Sequence, residues 1–530
     1  MLFSEVVRAS AAVTASSRRN DKVAVLAALL ARTPPTAIEL VVAVLSGTLP
    51  YGKSGVGRAT LRAASDVAPS DVATLTVADV DEALSQLAIV GGAGAASARA
   101  SRLRSLLAQA TREEHEFLVR LFVGELRQGA LESLLLEGVA RASQVPVERI
   151  RRAVMLAGAA PAVVRAVLTG GAAALAPFSL QLMRPVQPML ADAAPDLAAA
   201  LPATSSAAVE YKLDGARIQV HKADDEVRVF TRALNEVTSA VPEIVEGVAA
   251  LPARRLILDG EALVLRPDGV PQPFQVTMRR FGRRLDVAGM RATLPLSPFF
   301  FDCLMADGAP LIDEPLARRV AALDAVVPPH WVTPRRVVSS VAEGEQMAAA
   351  SLAAGHEGVM VKALDAGYAA GRRGQAWIKV KPTRTLDLVV LAAEWGSGRR
   401  RGWLSNLHLG ARDAERGGFV MLGKTFKGLT DDLLRWQTVE LLAREIGRDA
   451  YTVYVRPELV VEIAFSDVQE SPHYPGRLAL RFARVRRYRL DKAGADADTF
   501  AAVQTWYRQL TGLAPPAASV DASSDGSSDG

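Results

Sequence analysis

Apolar residues recur at helical spacing through roughly the first 180 positions of the chain. Segments such as KVAVLAALLA, HEFLVRLFVGEL and ALESLLLEGVARA place apolar side chains three or four positions apart, and glycine or proline residues mark the ends. This spacing puts the apolar side chains on one face of a helix. An all-α domain is therefore predicted over residues 1–184.

From about Val209 the pattern changes to short runs rich in valine, isoleucine and phenylalanine. Runs such as ARIQVHK, RLILDGEALVL, SPFFFDCL and EGVMVK have the composition of strands, and a helical segment lies among them at residues 343–354. An α/β domain with a mixed sheet is predicted over residues 185–384, beginning at the proline-containing connector PVQPML.

The strand pattern continues after Lys381 in LDLVVLAAEW, GGFVMLGKTF and LVVEIAFSDV, with one helical segment near residues 430–446. This combination is typical of a small β-barrel that carries a helix, predicted here over residues 385–513. Residues 514–530 are rich in Pro and Ala and then in Ser, Asp and Gly, which predicts a disordered tail. A chain of 530 residues is too long for one hydrophobic core, so its length also predicts several domains.

Composition excludes several classes of protein. The single cysteine, Cys303, excludes an intramolecular disulfide and a multi-cysteine zinc site. No stretch reaches the roughly 20 uninterrupted apolar residues of a membrane span, and the N-terminus lacks the apolar core of a signal peptide. We therefore expect no membrane association and a cytoplasmic location. The net charge of +5 is compatible with a polyanionic partner but does not require one.

Candidate chemistry lies in a series of short segments after position 209. Lys212 stands in EYKLDGAR at the end of a predicted strand, with Arg217 five positions further on. Asp259 and Glu261 in LDGEAL are two apart, so both carboxylates point to one face of a strand. The remaining segments are SPFFFDCL, HEGVMVK, WIKVK and the arginine-rich RFARVRRYRLDK. Together they supply the cations, carboxylates and aromatic rings that a nucleoside triphosphate and a divalent metal require.

Each segment alone has a structural interpretation that needs no ligand. A K-x-D-G sequence occurs by chance, and phenylalanines are more often core residues than base-stacking ones. Alternating lysines on a strand usually form a solvated face. The prediction therefore depends on finding all the segments in one order.

In order and spacing, the segments resemble the nucleotidyltransferase motifs of ATP-dependent DNA ligases over roughly residues 180–510. K-x-D-G-x-R begins at Lys212, D-G-E at Asp259, E-G-x-x-x-K at Glu357, K-x-K at Lys379 and R-x-D-K at Arg489. More loosely, GELRQGALESLLLEGVARA resembles the DNA-binding domain of that family. The resemblance implies an OB-fold for the C-terminal barrel, ATP and Mg²⁺ as cofactors, and nicked duplex DNA as the substrate of a monomer that encircles it.

The resemblance also implies roles for individual residues. Lys212 would attack the α-phosphorus of ATP and carry AMP on its side-chain nitrogen, and nearby cations are expected to favour its uncharged amine. Glu261 and Glu357 would hold Mg²⁺. Further nucleotide contacts are implied for Glu210 at the adenine edge, Phe301 (or Phe299) on the purine ring, Arg217, Arg232 and Arg373 at ribose and phosphate, and Lys379 and Lys381.

Two more groups of cations complete the expected site. Arg489 and Lys492 would orient pyrophosphate when the C-terminal domain closes over ATP, by the same family analogy. Arg99, Arg102 and Arg104 follow a glycine-rich turn, and a helix start of this kind suits contacts to DNA phosphates. A solvated helix face explains these three arginines equally well.

Three alternatives share parts of this pattern. NAD-dependent DNA ligases carry a four-cysteine zinc module, which a chain with one cysteine does not have. RNA ligases and mRNA-capping guanylyltransferases share the catalytic core but lack a helical domain of this size before the lysine. A non-catalytic nucleic-acid-binding protein with a decayed site is the third, and the intact motifs give it no support. The sequence does not indicate a replication or repair pathway.

Overall fold

The computed structural model describes residues 1–51, 55–92, 94–124, 126, 131–201, 206–282, 286–369, 373–511 and 514–516. These residues form a helical N-terminal region, a middle region built on two sheets and a C-terminal region built on a seven-stranded sheet. Within the described ranges, no helix is both long and apolar enough to cross a bilayer.

The N-terminal region consists of α-helices joined by short turns. The helices are α1 (Phe3–Ala15), α2 (Arg19–Ala31), α3 (Ile38–Leu45), α4 (Arg58–Ala64), α5 (Val77–Ala88), α6 (Ala95–Gln109), α7 (Arg112–Phe122), α8 (Leu131–Ser143), α9 (Val147–Ala157) and α10 (Ala160–Gly170). Polar caps fix several of the helix starts. At α7 the Thr111 hydroxyl accepts a hydrogen bond from the Glu114 amide, and the Glu114 carboxylate accepts one from the Thr111 amide.

One apolar core joins these helices. Phe3 of α1 and Phe117 of α7 are buried and meet edge to face, with ring centres 5.7 Å apart. Helices α2 and α8 approach closely at Gly138, where an added Cβ would lie only 2.8 Å from the Cβ of Leu26. The predicted all-α N-terminal region is confirmed.

The middle region contains two five-stranded sheets. Its strands are β1 (Leu190–Ala194), β2 (Ala207–Tyr211), β3 (Ala216–Ala223), β4 (Glu226–Thr231), β5 (Arg255–Val264), β6 (Leu296–Ala306), β7 (Ala309–Pro310), β8 (Arg335–Val338), β9 (Val359–Ala363) and β10 (Arg373–Val380). Its helices are α11 (Leu197–Ala200), α12 (Pro242–Ala249), α13 (Phe274–Gly282), α14 (Val287–Thr293), α15 (Leu316–Val326) and α16 (Val341–Ala353).

The strand orders of these two sheets are β1-β10-β9-β2-β8 and β4-β3-β5-β6-β7. Strands β1 and β10 are parallel, and the other neighbours are antiparallel. The predicted mixed sheet is therefore confirmed.

The C-terminal region is built around one long strand, β11 (Arg384–Trp395). The other strands are β12 (Leu404–Arg412), β13 (Phe419–Thr425), β14 (Glu445–Arg448), β15 (Thr452–Val455), β16 (Val460–Phe465), β17 (Asp467–Glu470), β18 (Leu478–Arg481) and β19 (Arg484–Tyr488). The first half of β11 pairs with β16, and the second half pairs with β12 and β15. Helices α17 (Asp431–Leu442) and α18 (Phe500–Thr511) pack on this sheet.

Most expected elements lie close to their predicted positions. The helix expected at residues 343–354 is α16, and the helix expected near residues 430–446 is α17. Sequence analysis did not predict α13 and α14, which stand between β5 and β6. The domain boundaries at 184, 384 and 513 stay predictions, and most of the predicted disordered tail, residues 517–530, lies outside the described residues.

Contacts between regions hold the site together from two sides. At the end of α9, Met155 and Leu156 are buried in one cluster with Met189 and with Tyr368 and Trp377 of the middle region. From the other side, the C-terminal region contacts the segment just after β2 through a hydrogen bond from Arg481 to Asp214. These two contacts flank the cleft described below.

Candidate active site

Lys212 directly follows β2, which lies between β9 and β8 in its sheet. Its amide donates to the Gly358 carbonyl at 2.9 Å, and its carbonyl accepts from the Glu357 amide at 3.1 Å. Gly358 has a φ of 140° and a backbone contact with Val380 that leaves no room for a side chain. The close backbone pairing places the Lys212 amine in an ion pair with the Glu357 carboxylate.

Glu357 lies between two lysine amines. Its second carboxylate oxygen contacts the Nζ of Lys381 at 2.5 Å. Burial opposes the charged carboxylate, but Lys212 and Lys381 outweigh burial and lower the pKa of Glu357. Burial and the charge of Lys212 lower the pKa of Lys381. The arrangement concentrates positive charge around the candidate nucleophile.

A second ion pair joins Glu210 and Lys362, whose side chains are only 4% and 1% exposed. The Lys362 ammonium lies 4.5 Å from the ring centre of Phe301 and 4.1 Å from that of Trp377. The two rings meet edge to face at 5.9 Å. Burial raises the pKa of Glu210, although Lys362 opposes the rise. This group forms an aromatic surface with a carboxylate at its edge, which suits a purine base.

Arg217 on β3 is fixed by hydrogen bonds that use most of its guanidinium. Its Nε and Nη2 donate to the two oxygens of Asp259 at 3.0 and 2.7 Å, and its Nη1 donates to the Met189 carbonyl at 2.7 Å. The Tyr368 hydroxyl lies 3.3 Å from Nη2. The paired N–H groups that would grip a phosphate are therefore engaged by Asp259, and the two-pronged phosphate contact expected for Arg217 is not available in this arrangement.

Glu261 lies on β5 directly opposite Arg217. Burial raises the pKa of this carboxyl to about 7, although Lys212 and Arg217 favour its charged form. One of its oxygens accepts a hydrogen bond from the Gly215 amide at 3.2 Å. Across the described ranges, no group of three or more His, Cys, Asp or Glu side chains is placed to hold a metal. A cation here would depend on a few carboxylates together with the bound nucleotide.

The C-terminal region contributes Arg481 and Phe482 to the site. The Nη1 of Arg481 donates to Asp214 at 3.0 Å, two residues beyond the candidate nucleophile. The same guanidinium lies 4.1 Å from the ring centre of Phe274. Phe482 is 60% exposed and has a φ of 58°, a left-handed backbone that an aromatic residue rarely adopts. The C-terminal region thus closes one side of the cleft.

A cleft of about 590 Å³ collects most of the residues predicted to contact the nucleotide. Its lining includes Glu210, Lys212, Arg217, Arg232, Glu261, Phe301 and Lys379. A second cleft, of about 330 Å³, adjoins it at Lys379 and is rich in cations. Its charged lining residues are Glu357, Lys379, Lys381, Arg384, Arg484 and Arg486.

Other predicted residues lie elsewhere. Arg489 and Lys492 do not line either cleft, because their side chains pair with Asp387 at 2.8 and 2.6 Å. Phe299 faces Glu261 across the β5–β6 pairing but does not line the cleft, so Phe301 is the better placed ring. Arg373 begins β10, and its side chain lies outside the described part of the structure.

The three arginines proposed for DNA contact also stabilise the helical region itself. Arg99 donates to the Val90 carbonyl at 2.5 Å, Arg102 to the Gln86 carbonyl at 2.8 Å and Arg104 to the Ala63 carbonyl at 2.5 Å. These bonds connect α6 with α4, α5 and the turn before α6. Arg102 and Arg104 remain exposed.

Sequence reasoning missed Tyr368, Trp377 and Arg481 as site residues. Tyr368 and Trp377 belong to loops and strands whose approach to β3 and β6 depends on the tertiary fold. Arg481 stood in the arginine-rich run, but nothing in that run distinguished it from its neighbours. The available signal for Trp377 was its position in WIKVK, two residues before Lys379.

Three protein-family models match successive parts of the chain. A model described as DNA ligase N terminus covers residues 58–140, one described as ATP dependent DNA ligase domain covers residues 188–381, and one described as ATP dependent DNA ligase C terminal region covers residues 400–492. The order agrees with the helical, middle and C-terminal regions of the fold.

Proteins of similar sequence cover almost the whole chain. A "Probable DNA ligase" of Anaeromyxobacter dehalogenans strain 2CP-1 is 56% identical over 96% of this chain and all of its own length. A protein of the same name from Sorangium cellulosum is 55% identical over 94% of both chains. Among solved structures, "Pmar-Lig_Pre." covers 92% of this chain and 99% of its own, with a TM-score of 0.62 and 18% identity, which supports the fold alone.

Proposed function

Because the chain belongs to the family of ATP-dependent DNA ligases and is an ATP-dependent ligase, we propose that it seals nicks in duplex DNA through AMP carried on Lys212. The nicks would present a 5′-phosphate beside a 3′-hydroxyl. The observation that carries the proposal is the position of the Lys212 amine, in the lining of the large cleft and paired with Glu357. The relatives of similar sequence are named as DNA ligases, so they do not support an RNA ligase, a capping enzyme or a non-catalytic binding protein.

The proposed reaction has three transfers of the same kind. The Lys212 nitrogen attacks the α-phosphorus of ATP, a phosphorus–nitrogen bond forms, and the bond to pyrophosphate breaks. The nick 5′-phosphate then attacks that phosphorus and frees the lysine, which leaves AMP on the DNA. The adjacent 3′-hydroxyl finally attacks the 5′-phosphorus and expels AMP. Glu357 holds the lysine in place through their ion pair, and the proton that the ammonium must lose passes to solvent.

The nucleotide would lie with its base on the aromatic surface. Phe301 would stack on the purine, and the edge carboxylate of Glu210 would read the adenine amino group. Arg217, Arg232, Arg373, Lys379 and Lys381 are proposed to contact ribose and phosphates. Arg217 would act mainly as a fixed positive charge with few free donors, since Asp259 already occupies its paired N–H groups.

Mg²⁺ is proposed to bind at Glu261 and Glu357. Hard carboxylate oxygens suit this ion, and burial raises the pKa of Glu261, an effect that a bound cation would oppose. When bound, the ion would neutralise charge on the phosphates. Mg²⁺ is usually bound by one or two carboxylates together with substrate phosphates, so two protein ligands are a normal number for such a site.

The C-terminal region is proposed to be an OB-fold that moves during the reaction. Its long, doubly paired strand β11 and its packed helix α17 support that assignment. Arg489 and Lys492 would reach pyrophosphate only after leaving Asp387, which requires a different closure from the one observed. In the observed arrangement, Arg481 and the second cleft face the reacting centre instead.

The helical region is proposed to grip DNA phosphates, with Arg99, Arg102 and Arg104 among the contacts. We expect a monomer that acts in the cytoplasm. The direct test is sealing of a nicked DNA duplex beside a nicked RNA duplex, each with a labelled 5′-phosphate and with ATP and Mg²⁺. Joining of the DNA alone is expected, and joining of RNA at an equal rate would contradict the proposal.

A further inference from the structure

We propose that Tyr368 is a positioning residue for nucleotide binding, because its hydroxyl fixes Asp259 and, through Asp259, the orientation of Arg217. The hydroxyl donates to Asp259 Oδ2 at 2.7 Å and accepts from the Met189 amide at 2.9 Å. The inference extends the proposed function, since it concerns how the same cleft holds ATP.

The geometry around Tyr368 forms a closed network. Asp259 accepts from both Arg217 and Tyr368, while Met189 donates its amide to Tyr368 and accepts from Arg217 through its carbonyl. Four groups therefore hold one another, and one of them, Arg217, lines the cleft. Asp259 and Tyr368 are buried, at 1% and 3% exposure, so water does not replace a lost bond without cost.

The ring of Tyr368 supports the same arrangement. It meets Trp377 edge to face at 5.9 Å, and Trp377 in turn meets Phe301. The Arg217 guanidinium lies 5.5 Å from the ring centre of Phe301. Tyr368 is thus joined to the aromatic surface by its ring and to Arg217 by its hydroxyl, and it does not itself line the cleft.

The helical region packs against this network. Met155 and Leu156 at the end of α9 are buried in the same cluster as Met189, Tyr368 and Trp377. Docking of the helical region therefore packs against the residues that set Arg217. Burial and the Asp259 charge raise the pKa of Tyr368 well above its usual range, so the hydroxyl stays a donor at neutral pH.

Substitution of Tyr368 by Phe removes the hydroxyl and keeps the ring. The measurement is the rate of Lys212 adenylation across ATP concentrations. Because Arg217 lies beside the base-stacking surface, its contacts are made in the ground state and the transition state alike. We therefore expect the half-saturating ATP concentration to rise about tenfold, the size expected for one lost hydrogen bond to a charged group, with a limiting rate within about threefold of the original.

Two controls separate positioning from general damage. Tyr507→Phe removes another buried tyrosine hydroxyl that donates to a carboxylate, Glu470, outside the cleft lining, and should leave the ATP dependence unchanged. In an Arg217→Ala background, Tyr368→Phe should have less than about a twofold further effect, because its target is gone.

The inference is overturned if Tyr368→Phe adenylates with an unchanged half-saturating ATP concentration, or if its effect is fully retained in the Arg217→Ala background. Failure of the unaltered enzyme to form the Lys212–AMP adduct would instead overturn the proposed function. The two failures are therefore distinguishable in one experiment.

Discussion

Arg481 donates a 3.0 Å hydrogen bond to Asp214 and so joins the end of β18 to the chain just after Lys212. Both side chains are largely buried, at 15% and 29% exposure. The Arg481 guanidinium also stacks on Phe274 at the mouth of the cleft. One side chain of the C-terminal region therefore holds that region against the site where the nucleotide is proposed to bind.

Replacing Arg481 by Ala should loosen this contact. A hydrogen bond between charged groups contributes about 1.5–3 kcal/mol, so its loss shifts an equilibrium between closed and open arrangements by about tenfold or more. The radius of gyration measured by small-angle X-ray scattering should increase. Arg487→Ala, which removes a pair with Glu462 inside the seven-stranded sheet of the same region, should leave it unchanged. An unchanged radius for Arg481→Ala would show that the contact does not hold the regions together.

The buried pair of Glu210 and Lys362 predicts an asymmetric response to substitution. Lys362→Ala leaves the Glu210 carboxylate buried without its partner, which should cost about 3–5 kcal/mol in the free energy of unfolding. Replacing both, Glu210→Leu with Lys362→Met, should recover most of that stability but not adenylation. Urea denaturation measures the first effect and ATP labelling the second. A double variant that adenylates normally would remove Glu210 from nucleotide recognition.

Sequence analysis predicted the three regions and the residues that cluster in the cleft, because each lysine, carboxylate and phenylalanine of the motifs stands on a strand or at a strand end. The side chains that each of these residues contacts were not predictable from the sequence. Asp259 was recognised as a carboxylate on a strand face, but its engagement with Arg217 and Tyr368 joins residues more than 40 and 100 positions apart. Helices α13 and α14 were missed because FQVTMRRFG and VAGMRAT have only 9 and 7 residues, so each segment repeats the helical spacing of apolar positions too few times to be recognised.

Asp467 predicts a dependence of stability on pH. Burial raises the pKa of this carboxyl to about 6, with Arg481 and the Val468 amide opposing the rise. A carboxyl with a raised folded-state pKa contributes its full stability below its ordinary pKa and loses it as the pH rises through 6. Asp467→Asn should therefore stabilise the protein by up to about 3 kcal/mol at pH 8 and much less near pH 4.

Thermal melting at the two pH values measures this difference. The matched control is Asp432→Asn, which alters an aspartate that is 90% exposed. This substitution should leave the melting temperature unchanged at both pH values. Equal stabilisation by Asp467→Asn at both pH values would contradict the assignment.

The exposed arginines of α6 predict the salt dependence of DNA binding. Each phosphate contact contributes about 0.9 to the slope of log affinity against log salt concentration, so Arg102→Ala and Arg104→Ala should each reduce the slope by about that amount. Arg19→Ala, whose guanidinium is already paired with Glu137, should leave it unchanged. If both α6 variants keep the original slope, their arginines only connect helices.

Attachment of AMP to Lys212 is the step on which the rest of the proposed reaction depends. The protein is mixed with Mg²⁺ and ATP labelled at the α-phosphate, and label bound to the chain is measured for the unaltered enzyme, for Lys212→Ala and for Lys427→Ala, an exposed lysine outside the cleft lining. Acid-labile label is expected on the unaltered enzyme and on Lys427→Ala, and none on Lys212→Ala. Label on Lys212→Ala equal to that on the unaltered enzyme would contradict the account.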